Sequence, residues 1–200
     1  ILPHDPSTHG GAGFFTGSQG GSTGRVPGMI PLMSGPRRIW VDIATQTLSL
    51  LEGERVRAVY PVSTGLNGVG ERQGSGCTPR GLHRVRIRIG AGCPEGTVFQ
   101  GRRPTGEIYD SALGAAHPDR DWILTRILWL TGCEPGRNRG GPVDTLRRFI
   151  YIHGCPDSEP LGEPRSHGCI RMRNRDLIEL FDAVMAGTPV EIRVAGGVLD

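Results

Sequence analysis

Two-residue alternation of apolar and polar side chains constrains this chain more than any other feature. From His83 to Ile89, His83, Val85, Ile87 and Ile89 fall on one side and Arg84, Arg86 and Arg88 on the other. Side chains alternate across a strand, so the run predicts a β-strand with one packed and one solvated face. The same period sets Ile39, Val41 and Ile43 against Trp40 and Asp42, and Val190, Ile192 and Val194 against Glu191 and Arg193. Leu48-Ser49-Leu50 continues it, and Glu52-Gly53-Glu54 reads as a hairpin turn into 56–62. Residues 122–130 and 149–153 are apolar enough for buried strands. A clear helical period occurs once, where Leu177, Ile178, Leu180, Phe181, Val184 and Met185 share one face of a helix over 175–186. Asn174 is its expected N-cap, with Gly187 and Pro189 as stop signals. The predicted fold class is mainly β with few helices (α+β).

Residues 1–35 show neither period. They hold nine of the 32 glycines and four of the 16 prolines. Such a segment buries too little apolar surface to offset its ordering entropy. The expected organisation is a flexible Gly/Pro/Ser-rich tail over 1–35, one domain over 36–195 and a short tail over 196–200. His4 and His9 in the first tail receive no role. Residues 65–81 form a Gly-rich loop without P-loop spacing and read as a flap beside a site. Residues 90–121 read as irregular.

All 23 positive residues are Arg, yet the net charge is only +3. The Arg84, Arg86, Arg88 face has no interleaved aromatic ladder, so a solvated face fits it better than nucleic-acid binding. His83 reads as an inward histidine bonded to backbone. No apolar run approaches the ~20 residues needed to span a bilayer. Residues 1–30 lack a charged start followed by an apolar core, which points to the cytoplasm. The alternative is the periplasm or cell envelope, reached behind a signal peptide already removed.

The chemistry concentrates in residues 151–173, YIHGCPDSEPLGEPRSHGCIRMR. Two triplets, His153-Gly154-Cys155 and His167-Gly168-Cys169, stand fourteen residues apart. In one reading Cys169 is a thiol nucleophile and His153, at the end of a strand, its base, with amides near Gly168 as oxyanion donors. In another, the two His-x-Cys pairs form a tetrahedral His₂Cys₂ zinc site, although the spacing is not that of a common zinc finger.

The pattern Ile152-His153-Gly154, a variable loop, then Ser166-His167-Gly168-Cys169-Ile170-Arg171 resembles the signature of the L,D-transpeptidase (YkuD-type) family. Ser63-Thr64-Gly65, Thr78-Pro79-Arg80-Gly81 and the helix after the cysteine extend the resemblance over roughly 37–194. It implies a β-sandwich-like catalytic domain, with one helix following the cysteine, that acts on peptidoglycan stem peptides or muropeptides. In such enzymes the cysteine attacks the carbonyl of a diamino acid, expels the terminal D-Ala, and passes the acyl group to an amine or to water. Carried over, the catalytic set is Cys169 (nucleophile), His153 (base), Gly154, His167 and Gly168, with Ser166 and Arg171 toward substrate. No metal or organic cofactor is implied.

Two departures stand out. Cys155 occupies a position where relatives often carry Thr, and a Cys155–Cys169 disulfide would silence the enzyme. The other is the missing signal peptide, and the run from Gly101 to Tyr109 through 122–130 resembles the signal-less subgroup of L,D-carboxypeptidases that trim recycled muropeptides. A rival of another class is a non-catalytic zinc-stabilised or nucleic-acid-binding domain.

Overall fold

The computed structural model describes residues 35–194. The expected tails therefore lie outside the described residues, Gly35 excepted. The chain opens with β1 (Arg37–Asp42), β2 (Thr47–Glu52) and β3 (Arg55–Pro61), paired as an antiparallel meander. Next come β4 (Gly81–Ile89), β5 (Thr97–Gln100), β6 (Arg103–Ile108), α1 (Ser111–Ala116) and β7 (Ile123–Gly132). Last come β8 (Tyr151–Gly154), β9 (Ile170–Met172), α2 (Asn174–Ala183) and β10 (Pro189–Arg193).

The strands run β3-β2-β1-β10-β4-β7-β5-β6 in one hydrogen-bonded network, with β8 on β7 and β9 beside β8. Side chains from β1, β2, β4 and β10 share a single apolar core with β8, β9 and α2, including Ile39, Leu48, Ile152, Ile170, Leu177 and Phe181. The network thus folds over on itself, sandwich-like, because each strand must bury its apolar face against another. Mainly β with few helices is the fold class observed.

Several local readings change. His83 and Val85 are buried, but Ile87 is 40 % exposed. The β4–β7 register shifts between Val85 and Ile87, and a bulge turns the following residues to the other face. His83 itself is an inward histidine, with Nδ1 2.9 Å from the Gly81 carbonyl and Nε2 3.0 Å from the Thr145 hydroxyl. Residues 90–121 are not irregular: they hold the β5–β6 hairpin and α1. β6 is largely exposed and carries Pro104 and Gly106, so it shows no apolar alternation. α1 buries nothing and is capped by Asp110, whose carboxylate accepts from the Leu113 amide at 2.7 Å.

Helix α2 begins at Asn174 rather than being capped by it. The Asn174 side chain turns inward instead. Its amide donates to the Cys155 carbonyl at 3.0 Å, and its oxygen accepts from the Thr125 hydroxyl at 2.5 Å. Satisfying those buried groups outweighs capping, because buried polar atoms left unpaired are costly.

Candidate active site

β8 and β9 run parallel, with Ile152 beside Ile170 and His153 beside Arg171. Ile152, Ile170 and Met172 face the core. Alternation places Tyr151, His153, Cys169 and Arg171 on the opposite face. The thiol and the imidazole therefore share one side of one strand pair.

His153 is 1 % exposed. Its Nδ1 lies 2.9 Å from the Gly154 carbonyl, an acceptor that fixes the proton on Nδ1 and leaves the lone pair on Nε2. Burial lowers its pKa to about 4, so the ring is neutral at physiological pH. A Cβ on Gly154 would come within 2.8 Å of the Leu124 carbonyl and also meet the Asn174 side chain. Only glycine lets β8 pass that closely.

Cys169 precedes β9. Its S–H donates to the Phe149 carbonyl at 3.4 Å, and its sulfur accepts from the Tyr151 amide at 3.3 Å. Burial pushes the thiol up to about 12. Burial thus works against the charged form of both groups.

The turn before Cys169 is set by Ser166 and Gly168. Ser166 is buried, and its hydroxyl donates to the Cys169 carbonyl at 2.5 Å while accepting from the Gly168 amide at 3.1 Å. The Ser166 hydroxyl is therefore occupied in shaping the turn, and so is the Gly168 amide. Gly168 has φ +117°, and a Cβ there would lie 2.8 Å from the Cys77 carbonyl. The Gly-rich loop forms the wall at this point. Thr78 Oγ1 donates to the Gly168 carbonyl at 3.0 Å, and Arg148 bonds the Gly70 and Cys77 carbonyls at 3.0 and 2.6 Å.

Arg171 and His167 meet at Asp121, a residue that sequence reasoning left inside an irregular stretch. Arg171 Nη2 donates to Asp121 at 2.8 Å, and Nη1 lies 3.6 Å from Glu159. His167, whose side chain is 80 % exposed, has Nδ1 3.9 Å from the same Asp121 carboxylate. The charge of Asp121 raises the His153 pKa and that of Arg171 lowers it, both against the larger effect of burial. An open cleft of about 260 Å³ adjoins these groups, lined by Asp121, Trp122, Glu159, Arg165, His167 and Arg171.

Cys155 does not join the thiol and base. Register places Cys155 four residues further along the strand pair than Cys169, roughly 13 Å at strand rise. A disulfide spans about 4.4–6.8 Å between Cα atoms, so these two cysteines cannot bridge. Nor can both thiolates reach one zinc ion at ~2.3 Å each. Cys155 instead donates to the Met172 carbonyl at 3.4 Å, and burial raises its thiol to about 12. Among the described residues, no three His, Cys, Asp or Glu side chains converge as metal ligands.

Residues 36–192 match the L,D-transpeptidase catalytic domain family, YkuD. The chain belongs to that family. YkuD of Bacillus subtilis, whose name assigns it to the L,D-transpeptidases, is 27 % identical over 172 residues, covering 84 % of this chain and 72 % of the relative. YqjB of the same organism, named likewise, is 29 % identical over 162 residues, covering 81 % and 73 %. Among solved structures, L,D-transpeptidase 3 from Mycobacterium tuberculosis aligns with TM-score 0.49 at 19 % identity, covering 78 % of this chain and 60 % of that one. An L,D-transpeptidase from Mycobacterium smegmatis gives TM-score 0.47 at 18 % identity, covering 80 % and 59 %. The chain thus spans only about three-fifths of the length of those two structures. In this L,D-transpeptidase-family domain, the signature residues lie on and immediately before the β8–β9 pair.

Proposed function

We propose that the domain cleaves the bond between a diamino acid and a terminal D-Ala in peptidoglycan stem tetrapeptides, through a thioester on Cys169. The observation that carries this reading is the placement of Cys169 and His153 on one face of the β8–β9 pair, with the His153 Nε2 lone pair left available. As the sulfur attacks the carbonyl carbon, its proton passes to Nε2 and the carbonyl electrons move onto oxygen. With the Gly168 amide already engaged by Ser166, the oxyanion falls to the amide of Cys169. Collapse breaks the C–N bond, and the imidazolium returns the proton to the departing amine. A second nucleophile then gives its proton to Nε2, attacks the thioester and releases the thiol.

Water is the acceptor proposed, which makes the reaction an L,D-carboxypeptidation. The resemblance of the Gly101–Tyr109 run to the carboxypeptidase subgroup supports it. Transfer to an amine is the second reading, favoured by Asp121 and Glu159, whose carboxylates line the cleft beside His167 and suit an ammonium group. Incubating disaccharide-tetrapeptide with and without an added D-amino acid tests both. Tripeptide in both tubes is the outcome expected for hydrolysis. An exchanged or cross-linked product selects the amine, and an unchanged tetrapeptide contradicts both.

A further inference from the structure

Arg102 occupies a position that local backbone preference withholds from arginine. Gly101 and Arg102 are the two central residues of the β5–β6 turn, between Gln100 and its partner Arg103. Both have positive φ, 55° and 67°. Two-residue hairpin turns of this kind select Gly or Asn, since a long side chain is strained in the left-handed region. Phe149, 48 % exposed, shares this conformation with φ 58°, as do Gln46 and Thr125. Strained backbone at non-glycine residues gathers at functional sites.

Arg102 and Phe149 meet. The Arg102 guanidinium carbon lies 4.8 Å from the Phe149 ring centre and 4.9 Å from that of Trp129. Its Nη1 donates to the Tyr151 hydroxyl at 3.3 Å. Aromatic faces hold a guanidinium in place while leaving much of its N–H fork free for an anion. Arg120 is paired with Glu107 at 2.8 Å, whereas among the described residues no carboxylate lies at ion-pair distance from Arg102. The neighbours of this cation also hold the nucleophile. The Phe149 carbonyl accepts the Cys169 thiol, and the Tyr151 amide donates to its sulfur.

We propose that Arg102 is a substrate-binding residue whose fork takes a carboxylate of the acyl donor, with Trp129 and Phe149 holding it in register with Cys169. This deepens the acyl-transfer reading above and rests on it. A stem tetrapeptide offers two sources of carboxylate: the terminal group on the departing residue, and those along the stem.

The test uses the full chain carrying Cys169→Ala, so that peptide binds without turnover. Calorimetric titration compares the free tetrapeptide, its C-terminal amide and a stem-amidated form, with Arg102 retained or replaced. Arg102→Asn suits the turn because Asn tolerates positive φ. With Arg102 retained, one of the two amides is expected to bind at least ten-fold more weakly than the free acid, and it identifies the carboxylate. Arg102→Asn is expected to weaken the free acid by the same factor and leave that amide unchanged. Arg102→Lys, which keeps the charge without the fork, recovers part of the loss. Equal affinity of all three peptides with Arg102 retained overturns the inference, even if no Arg102 variant folds. Equal weakening of free acid and amides by Arg102→Asn also overturns it. Failure of the Cys169→Ala protein, folded by thermal melt, to bind any of the peptides sinks the acyl-transfer reading and this inference with it.

Discussion

The two His-Gly-Cys triplets are spelled alike and built crosswise. In the first, both side chains are inside: His153 is 1 % and Cys155 2 % exposed. In the second, the His167 side chain is 80 % exposed and Cys169 is only partly covered. The glycines also differ. Gly154 is required by close backbone approach, and Gly168 by a left-handed φ of +117° as well. A triplet therefore carries no role of its own; strand register and turn geometry assign one. The proposed catalytic pair takes its histidine from the first triplet and its cysteine from the second.

The largest expected contrast lies between the two cysteines. Cys169→Ala should bring tetrapeptide turnover to background, a loss of roughly 10³-fold or more for a covalent nucleophile. Cys155→Ala should hold activity within about three-fold and cost about 1 kcal/mol of stability by urea melt, since it only empties part of a buried site. Comparable activity losses in the two variants would break the crosswise assignment.

The two histidines should separate next. His153→Gln should lower kcat by about 10²–10⁴-fold, the usual contribution of a general base, whereas His167→Gln should cost less than about ten-fold. Wild-type activity should fall on acidification only as His153 charges near its lowered pKa of about 4. Asp121 raises that pKa, so Asp121→Asn should move the acid limb to lower pH. A shift upward would contradict the assigned electrostatics.

The smallest effect is on stability. His83 and His153 are both held neutral by burial, each with its pKa lowered to about 4. The unfolded chain therefore takes up protons first as pH falls. Stability should be intact above about pH 6.5 and decline toward pH 4, by at most about 3 kcal/mol per histidine. His83→Gln should flatten part of that decline in denaturant melts at pH 4 and 7. An unchanged slope would remove His83 from the account.

The β framework and helix α2 were legible because their apolar periods reflect burial on one side. β6 and α1 were not, because an exposed strand and an unburied six-residue helix leave no apolar period to read. Asn174 was misplaced for a different reason. A cap and a buried crosslink use the same side chain, and only tertiary structure decides between them. Cys169 and His153 could be named from the signature, and Gly154 and Gly168 from the need for tight backbone. Asp121 and Arg102 could not. Asp121 reaches Arg171 only through folding, and Arg102, in a stretch that reads as irregular, gains its setting from the distant Trp129 and Phe149 rings.

The central claim is covalent, and mass spectrometry of the intact protein after rapid acid quench tests it most directly. With stem tetrapeptide, the account predicts a transient adduct equal to the donor minus its terminal D-Ala, mapped by digestion to Cys169. It should persist in Cys155→Ala and vanish in Cys169→Ala. An adduct on Cys155, or one retained in Cys169→Ala, would contradict it.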